Sequence, residues 1–473
     1  MGHADATQAP GRRLAAIMVA ALVLSWPAFW NGYPLVFTDS ASFIGALNPA
    51  GQHWARPIFY SWALWPLHWG VTLWPVVIAQ GAVLAHLLWL VLRALAGRVE
   101  LPAYGVVVLL VAAGSALPWY TAQIMPDVLA PILVLAVFLL GFCADRLTRL
   151  EAVWPFLLLC GAIASHMSHI PLAGGLLIGV AVIRLLRDGA GAMRAAVPVG
   201  AALLLAVAAH VGVNAVFLGK PTLSPFGSIF LLARSQMDGP ATWHLREACP
   251  EAGWRLCADV DRLPMHHDTF LWDRQGPFWR AAGLDDERRQ QAAGMTYQTE
   301  AAAIMAGTLD RYAVEQLAVM LENAARQVFQ ARTGDGLLSW SETQGVSRAI
   351  AGEVPLDYAA YRDSRQIADT LGLETVNRVH GWVLPLAALL ALLAAIRCGD
   401  ARYRAFLAVI AIALLGNALI TGGLSGPHDR YQARMAALIV VAGGLALVLL
   451  TARRGVRSGV AGGRVDGKAA VAI

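Results

Sequence analysis

The sequence predicts an all-α polytopic membrane protein with about ten transmembrane helices. Of its 473 residues, 58% are hydrophobic and only 14% are charged, and a mean hydropathy of +0.56 is too apolar for a soluble globular protein of this length. Ten apolar runs follow one another along the chain, most of them close to the length that a membrane span requires. Arginines lie beside alternate runs, as in multi-pass membrane proteins.

The apolar runs divide into a group of seven and a group of three. Their approximate limits are 14–30, 71–95, 102–117, 128–144, 153–165, 171–186, 195–218, 379–396, 405–421 and 435–452. The segment between the two groups has the composition of a soluble domain, and apolar residues at three- and four-residue spacing predict a helix over 285–332. We therefore predict an N-terminal membrane module (1–218), an extracytoplasmic, mainly α-helical domain (219–378), a C-terminal membrane module (379–454) and a disordered tail (455–473).

The positions of the arginines predict the orientation in the membrane. They cluster in every second loop, which the positive-inside rule assigns to the cytoplasm: Arg12, Arg13, Arg93, Arg98, Arg146, Arg149, Arg184, Arg187, Arg194, Arg397, Arg402, Arg404, Arg453, Arg454 and Arg457. Both termini are then cytoplasmic, and the expected location is the cytoplasmic (inner) membrane of a bacterium. Because this distribution accounts for the net charge of +5, we exclude nucleic acid as a partner.

Two of the cysteines lie in the predicted soluble domain. Cys249 and Cys257 enclose seven residues in CPEAGWRLC, whereas Cys143, Cys160 and Cys398 lie in or at the ends of spans. In an oxidising compartment, a pair of cysteines at this spacing forms a disulfide. We predict a Cys249–Cys257 bridge.

The sequence contains no familiar motif for nucleotide binding, catalytic zinc or serine hydrolysis. It lacks G-x-x-x-x-G-K-[ST], a helix-opening G-x-G-x-x-G, H-E-x-x-H, G-x-S-x-G and C-x-x-C. The adjacent His266, His267 and Asp268 are more typical of a solvated turn than of a tetrahedral metal site, which gathers ligands from separated positions. His166 and His169 lie three residues apart at a helix end and share a face. Hydrogen-bonded capping or lining is the preferred interpretation for them.

Asp39 is the acidic residue whose surroundings are most unusual. It lies in GYPLVFTDSASF, beside the first apolar run and among apolar or small neighbours. An ionised carboxylate at membrane depth costs several kcal/mol and is retained mainly where it lines a polar cavity or has a function. Alternatively, Thr38, Asp39 or Ser40 caps a short helix on the membrane surface. The two roles are compatible.

A second group of polar residues lies in the last predicted outer loop. Arg430 and Arg434 are four residues apart at the start of the final span and therefore share a helix face. They lie on the side that the positive-inside rule leaves poor in arginine. Because arginine side chains and helix N-termini both bind phosphate oxygens, we predict an anion site formed by these two residues and His428. Interfacial snorkelling is the alternative.

Together these residues predict group transfer at the outer face of the membrane. No nucleotide pool exists there, so an activated donor must be delivered through the membrane, and a polyprenyl-phosphate sugar meets that need. Arg430, Arg434 and His428 would hold the leaving phosphate, and Asp39 would accept the proton of an acceptor hydroxyl. The expected partners are membrane lipid, this lipid-linked donor and an unknown envelope acceptor.

At these residues the chain resembles the GT-C superfamily of integral membrane glycosyltransferases, which includes protein O-mannosyltransferases and lipid A aminoarabinose transferases. Its members carry an acidic residue in the first outer loop, as Asp39 does in FTDSASF, and another in a second loop, as Asp127 does in MPD. Basic residues near the donor phosphate come late in the chain, as in HDRYQAR at 428–434. The resemblance implies that Asp39 is the base of an inverting transfer and that Asp127 positions substrate or helps to bind a divalent metal.

Two features depart from the GT-C pattern. The first-loop acid is followed by Ser40 rather than by a second acidic residue, and the large outer segment interrupts the spans instead of following them. That segment would choose the acceptor, act as a lid or dock a partner. His53 and Arg56 in the first loop would orient the acceptor or cap the next helix. The substrate-positioning candidates also include His166 and His169.

Three other classes of function remain as alternatives. A transporter or flippase for a lipid-linked or anionic substrate would use Asp39, Asp127 and the histidines as a pathway, but it predicts charges deep within spans and two matched halves. A non-enzymatic envelope assembly factor would act through 219–378 and leave Asp39 dispensable. An acyltransferase would use His166 or His428 as its base, although no partner motif supports it.

Overall fold

A computed structural model describes residues 10–45, 56–273, 275–282, 287–340 and 344–462 of the chain. The regular structure in those ranges is helical, and the pairing of Leu35 with Gln123 is an isolated parallel bridge. The predicted all-α class is therefore confirmed for the described residues.

The described part of the chain forms twenty-one α-helices, joined by loops and short 3-10 turns. They are α1 (Pro10–Leu24), α2 (Trp26–Asn31), α3 (Ala41–Ile44), α4 (Phe59–His68), α5 (Trp74–Ala96), α6 (Leu101–Gly114), α7 (Leu117–Thr121), α8 (Leu129–Phe142), α9 (Arg149–Ser165), α10 (His169–Asp188), α11 (Val197–Leu218), α12 (Gly227–Asp238), α13 (Pro240–Ala248), α14 (His267–Trp272), α15 (Pro277–Ala282), α16 (Glu287–Phe329), α17 (Gly345–Glu353), α18 (Tyr358–Arg362), α19 (Leu373–Cys398), α20 (Ala401–Leu424) and α21 (Asp429–Gly462). The helix predicted over 285–332 is confirmed as α16, which bends at Tyr312.

Six helices among the described residues are long and apolar enough to cross a membrane: α5, α10, α11 with the turn before it, α19, α20 and the first part of α21. Their length and composition indicate a multi-pass membrane protein. Every predicted apolar run coincides with a helix, but α1, α6, α8 and α9 have 15, 14, 14 and 17 residues, fewer than the roughly 20 usual for a span. The count of ten spans therefore stays a prediction.

Helix α8 lies at the centre of the membrane bundle. Its sequence, LAPILVLAVFLLGF, is apolar on every side, and each of its residues except Leu129 is buried. It packs against α5, α9, α10, α11, α20 and α21, since a helix without a polar face must be covered on all sides. Helices at the periphery keep large apolar side chains exposed, such as Leu204 on α11 and Trp382 on α19.

Local side-chain caps determine where two of these helices begin. At the start of α9, the Thr148 hydroxyl accepts a hydrogen bond from the Glu151 N–H, while the Glu151 carboxylate accepts one from the Thr148 N–H. At the start of α20, Asp400 accepts hydrogen bonds from the N–H groups of Arg402 and Tyr403. Both caps satisfy donors that have no partner within their own helix.

The segment between α11 and α19 contains two packed units. The first extends from α12 to α16 and encloses a core that includes Ile229 and Phe270. The second contains α17 and α18, and its core includes Val36 of the first loop together with Tyr361. Helix α19 begins at Leu373, so the predicted boundary at 378 falls inside this helix.

Two further sequence predictions concern the disulfide and the tail. Cys249 and Cys257 form the predicted disulfide. Helix α21 continues to Gly462 and so extends into the tail that was expected to be disordered. The rest of that tail, 463–473, lies outside the described residues.

Candidate functional site

The loop after α2 and the loop before α8 lie side by side. Leu35 pairs with the segment around Gln123 through two backbone hydrogen bonds of 2.9 Å. The Ser40 hydroxyl donates to a carbonyl of the second loop at 2.8 Å. These contacts bring Asp39 and Asp127 to the same end of the helical bundle.

Asp39 is paired with Arg56. The carboxylate Oδ2 lies 2.6 Å from the guanidinium Nη2, and the two side chains are 15% and 24% exposed. The Arg56 guanidinium also lies 5.9 Å from the ring centroid of Trp272 on α14. The segment between α11 and α19, called the inserted segment below, therefore reaches this pair. Ser40, the residue before α3, does not cap that helix with its side chain. Its hydroxyl accepts a hydrogen bond from the Phe37 N–H instead.

Asp127 and Arg434 form a second ion pair, which is buried. Arg434 Nη1 donates to Asp127 Oδ1 at 2.8 Å, and the side chains are 0% and 4% exposed. Within the part of the chain that the structure describes, Nε and Nη2 of Arg434 have no hydrogen-bond partner. A buried donor without a partner lowers the stability of a protein by about 1–3 kcal/mol. These two nitrogen atoms are therefore suited to donate hydrogen bonds to an anionic oxygen of a ligand.

Arg430 lies one turn before Arg434 on α21 and reaches the loop that carries Asp39. The guanidinium carbon lies 4.2 Å from the ring centroid of Phe37 and 4.9 Å from that of Tyr431. These aromatic faces hold the cation without neutralising its charge.

His428 is held by three separate parts of the inserted segment. Its Nδ1 lies 3.5 Å from Oδ2 of Asp335, which also accepts a hydrogen bond from the Arg430 N–H at 3.2 Å. Its backbone N–H and C=O both pair with the side-chain amide of Gln327 on α16 at 2.8 Å. Its ring centroid is 6.1 Å from that of His267 on α14. The loop before α21 is therefore fixed against α14 and α16.

Glycines permit this close approach. A Cβ atom at Gly422 would lie 2.8 Å from the Asn323 carbonyl oxygen, so α16 can pack against α20 only where the side chain is absent. Gly426 has a φ of +115° and lies against the guanidinium of Arg234. A side chain there would be strained by the backbone and obstructed by Arg234.

His166 and His169 lie at the junction of α9 and α10, with ring centroids 5.1 Å apart. Nδ1 of the fully buried His169 donates to the Ala162 carbonyl at 2.6 Å, and its Nε2 has no partner among the described residues. His166 Nδ1 accepts a hydrogen bond from the Ser168 N–H at 3.2 Å. Arg434, Arg56 and Arg430 are close enough for their positive charges to act on the His166 ring.

The pKa values of two of these groups, His166 and Asp335, are both lowered, for different physical reasons. Burial lowers the pKa of His166 well below its ordinary value, and His169 and the nearby arginines lower it further. Burial alone raises the pKa of Asp335, but hydrogen bonds from His428 and from the Arg430 N–H outweigh that effect and lower the pKa below its ordinary value. Near neutral pH, His166 is therefore neutral and Asp335 is ionised.

Sequence reasoning missed residues that position the first loop. Asp357 is buried and accepts hydrogen bonds from the Tyr33 hydroxyl at 3.1 Å and the Leu73 N–H at 2.8 Å. The Gln366 side chain pairs with the backbone of Val36 at 3.1 and 2.7 Å. These partners are 284 to 330 residues apart in the chain, so no local pattern could have identified them.

Two other features singled out from the sequence, His53 and the His266–Asp268 motif, contribute less to the site. His53 lies outside the described residues. His266 and Asp268 are 52% and 56% exposed at the start of α14, as a solvated turn requires. For His267 the prediction is wrong, because its side chain is 14% exposed and its ring lies near that of His428. In the described ranges, no group of three or more His, Cys, Asp or Glu side chains is placed to hold a metal ion.

Comparison with protein-family models, curated proteins and solved structures finds no match to this chain. The residues of the site are therefore the only indication of its chemistry. Acidic, guanidinium and imidazole groups converge where apolar helices end: Asp39, Arg56, Asp127, His166, His169, Arg430 and Arg434. This set can bind an anion and accept a proton within one site.

Proposed function

We propose that the protein is a membrane glycosyltransferase that moves a sugar from a polyprenyl-phosphate donor to an acceptor of the cell envelope. The position of Arg430 carries this proposal, because it lies one turn before Arg434, which pairs with Asp127, and its guanidinium stacks on Phe37, two residues before Asp39. Arg430 thus joins a candidate base to a candidate phosphate site. The cluster lies at the ends of apolar helices, where a lipid-linked phosphate and a water-borne acceptor can meet.

The donor phosphate is proposed to bind between Arg430 and Arg434. Arg434 is already fixed through Nη1 by Asp127, which leaves Nε and Nη2 to donate to phosphate oxygens. The planar guanidinium matches two oxygens of a phosphate group at once. Since Arg434 is 0% exposed, its charge acts in a poorly hydrated site, where it stabilises a phosphate more strongly than in water.

Asp39 is the proposed base. The acceptor hydroxyl oxygen forms a bond to the anomeric carbon of the sugar, and the bond from that carbon to the phosphate oxygen breaks. The electron pair leaves with the phosphate, whose added charge Arg430 and Arg434 stabilise, while the hydroxyl proton passes to Asp39. The guanidinium of Arg56, 2.6 Å from Asp39, orients the carboxylate.

The inserted segment is proposed to form the acceptor side of the site. Trp272 of α14 lies against Arg56, and His267 of the same helix lies near His428. An aromatic ring beside a charged pair suits a sugar or lipid acceptor that has both apolar and hydroxyl-bearing faces. These contacts favour a role in acceptor selection over docking of a remote partner.

The outer face of the cytoplasmic membrane is the proposed location of the site. Arg13 near the start of α1 and Arg93 near the end of α5 both pair with Glu151. That arginine-rich end lies at the opposite ends of these helices from the loop with Asp39, and the positive-inside rule assigns such an end to the cytoplasm.

A divalent metal, which the family resemblance left open, does not fit the donor groups present. Asp39 and Asp127 are each paired with an arginine at less than 3 Å. A cation between them would have to compete with three guanidinium groups. The proposed transfer step therefore uses protein side chains alone.

Analysis of envelope glycans and glycolipids in a strain that lacks the gene tests this function. We expect one envelope component to lack a sugar, wild-type protein to restore it, and Asp39→Asn protein at equal membrane abundance to fail. Envelope glycans that are unchanged by loss of the gene would exclude the proposal. Counterflow of a lipid-linked sugar in liposomes without acceptor would instead support a transporter.

A further inference from the structure

A groove lies between α1, α5 and α9, beside the first half of α1 and the middle of α5. Its volume is about 660 Å³, within the range of about 300–1,000 Å³ usual for small-molecule sites. Its walls are largely apolar and include Leu14, Ile17, Met18, Val83, Trp89 and Trp154. Leu14 and Met18 are 62% and 39% exposed on the surface of the bundle, so the groove is accessible from the surrounding membrane.

One end of the groove is polar and carries excess positive charge. Arg13 Nη2 lies 3.1 Å from His86 Nε2 and 3.3 Å from a carboxylate oxygen of Glu151. Arg93 binds both oxygens of the same carboxylate at 2.7 Å. One acidic group is thus shared by two guanidinium groups, and the preceding residue on α1, Arg12, is exposed. Arg13 keeps 31% of its side-chain surface exposed and can contact a ligand in the groove.

We propose that this groove binds an anionic phospholipid, with an acyl chain along α1 and α5 and the phosphate at Arg13. A hydrocarbon chain fits the apolar walls, and arginine matches phosphate oxygens. Basic pockets between membrane helices at the arginine-rich side bind anionic head groups by the same combination. The groove shares no residue with the site of Asp39, Asp127, Arg430 and Arg434, so its proposed role does not depend on the transfer reaction proposed above.

Photo-crosslinking in nanodiscs tests this site on the full-length protein. The nanodiscs contain phosphatidylcholine and a small fraction of phosphatidylglycerol that bears a diazirine in one acyl chain, and labelled positions are mapped by mass spectrometry. We expect labels at residues 14–18 and 79–83. Since one basic residue near the surface contributes about 1 kcal/mol to lipid binding, Arg13→Gln should reduce this labelling about fivefold, whereas Arg13→Lys should keep most of it.

A groove-filling variant separates binding from misfolding. Ala82 lines the groove, and Ala103 on α6 is also half-buried but does not. We expect Ala82→Phe to abolish labelling at residues 14–18 and Ala103→Phe to leave it unchanged. The proposal is overturned if a phosphatidylcholine probe labels the same positions equally well. It is also overturned if Arg13→Gln has no effect, or if both phenylalanine variants reduce labelling alike.

Discussion

Arg434 and Asp127 are 307 residues apart in the chain, yet their side chains meet at 2.8 Å and are almost completely buried. The pair joins the loop before α8 to the final membrane helix. It also leaves two nitrogen atoms of Arg434 without a partner among the described residues. One contact thus both stabilises the bundle and offers donors to a ligand.

Removal of either charge in this pair should destabilise the protein strongly. Asp127→Asn or Arg434→Gln leaves one buried charge uncompensated, which typically costs about 3–5 kcal/mol. Thermal unfolding of the detergent-solubilised protein measures the effect. The double variant should recover part of the loss, because neither charge then remains buried alone.

The exposed pair of Arg98 and Glu100 provides the matched control. These side chains are 76% and 60% exposed, and such a surface pair contributes about 0–1 kcal/mol. Arg98→Gln should therefore leave the unfolding temperature nearly unchanged. If Arg98→Gln and Arg434→Gln lowered the unfolding temperature equally, the buried pair would contribute no more to stability than the exposed pair.

Arg430 should be required for binding of the lipid phosphate. A hydrogen bond to a charged group contributes about 1.5–3 kcal/mol, so Arg430→Ala should raise the Kd for a polyprenyl phosphate about tenfold to a hundredfold. Arg430→Lys should recover only part of the affinity, since lysine cannot match two phosphate oxygens at once. Arg326 on α16 is 64% exposed, and Arg326→Ala should bind normally. An unchanged Kd for Arg430→Ala would remove Arg430 from the phosphate site.

His166 should make the folded protein less stable in mild acid. Its pKa is lowered in the folded state, so folding favours the neutral ring, and stability is lost as the pH falls below the ordinary pKa of about 6.5. The unfolding temperature should therefore fall between about pH 7.5 and pH 5.5, and His166→Gln should reduce this slope. His266→Gln, at a position 52% exposed, is the control. A slope that is the same in both variants would contradict the burial argument.

The helical character of the membrane segments and several residues of the candidate site could be predicted from the sequence because the membrane limits the alternative structures. A long apolar run has few other structures available, and each of the predicted runs coincides with a helix. Asp39 and Arg434 are recognisable in the sequence because it costs free energy to hold a charge beside an apolar run. Their partners were not predicted, since the contacts with Arg56 and Asp127 depend on how the helices pack.

The sequence of the inserted segment predicts much less about the site. Asp335 and Gln366 lie in sequence of ordinary soluble composition, where an acidic or amide residue is unremarkable. Their importance comes from contacts with Arg430 and Val36, which are distant in the chain. Only the folded arrangement distinguishes them from other polar residues of the segment.

The disulfide should stabilise the first unit of the inserted segment. Cys249 and Cys257 close a short loop in that unit, and a chain-entropy estimate for a loop of this length is about 2–3 kcal/mol. Cys249→Ser with Cys257→Ser should make the unit more sensitive to trypsin without affecting membrane insertion. Cys160→Ser, which removes a free cysteine in α9, should not change the cleavage rate. Equal sensitivity with and without the disulfide would show that the bridge is dispensable.

Transfer by the Asp39→Asn protein tests the central claim most directly. Purified protein in liposomes is supplied with lipid-linked sugars and envelope acceptors extracted from the strain that lacks the gene, and free polyprenyl phosphate is quantified by mass spectrometry. Because a positioned base contributes about 10²–10⁴-fold, Asp39→Asn should lower the rate at least about a hundredfold while polyprenyl phosphate still binds. Glu100→Gln, at a position 60% exposed, should transfer normally. Transfer by Asp39→Asn at the wild-type rate would contradict the assignment of Asp39 as the base.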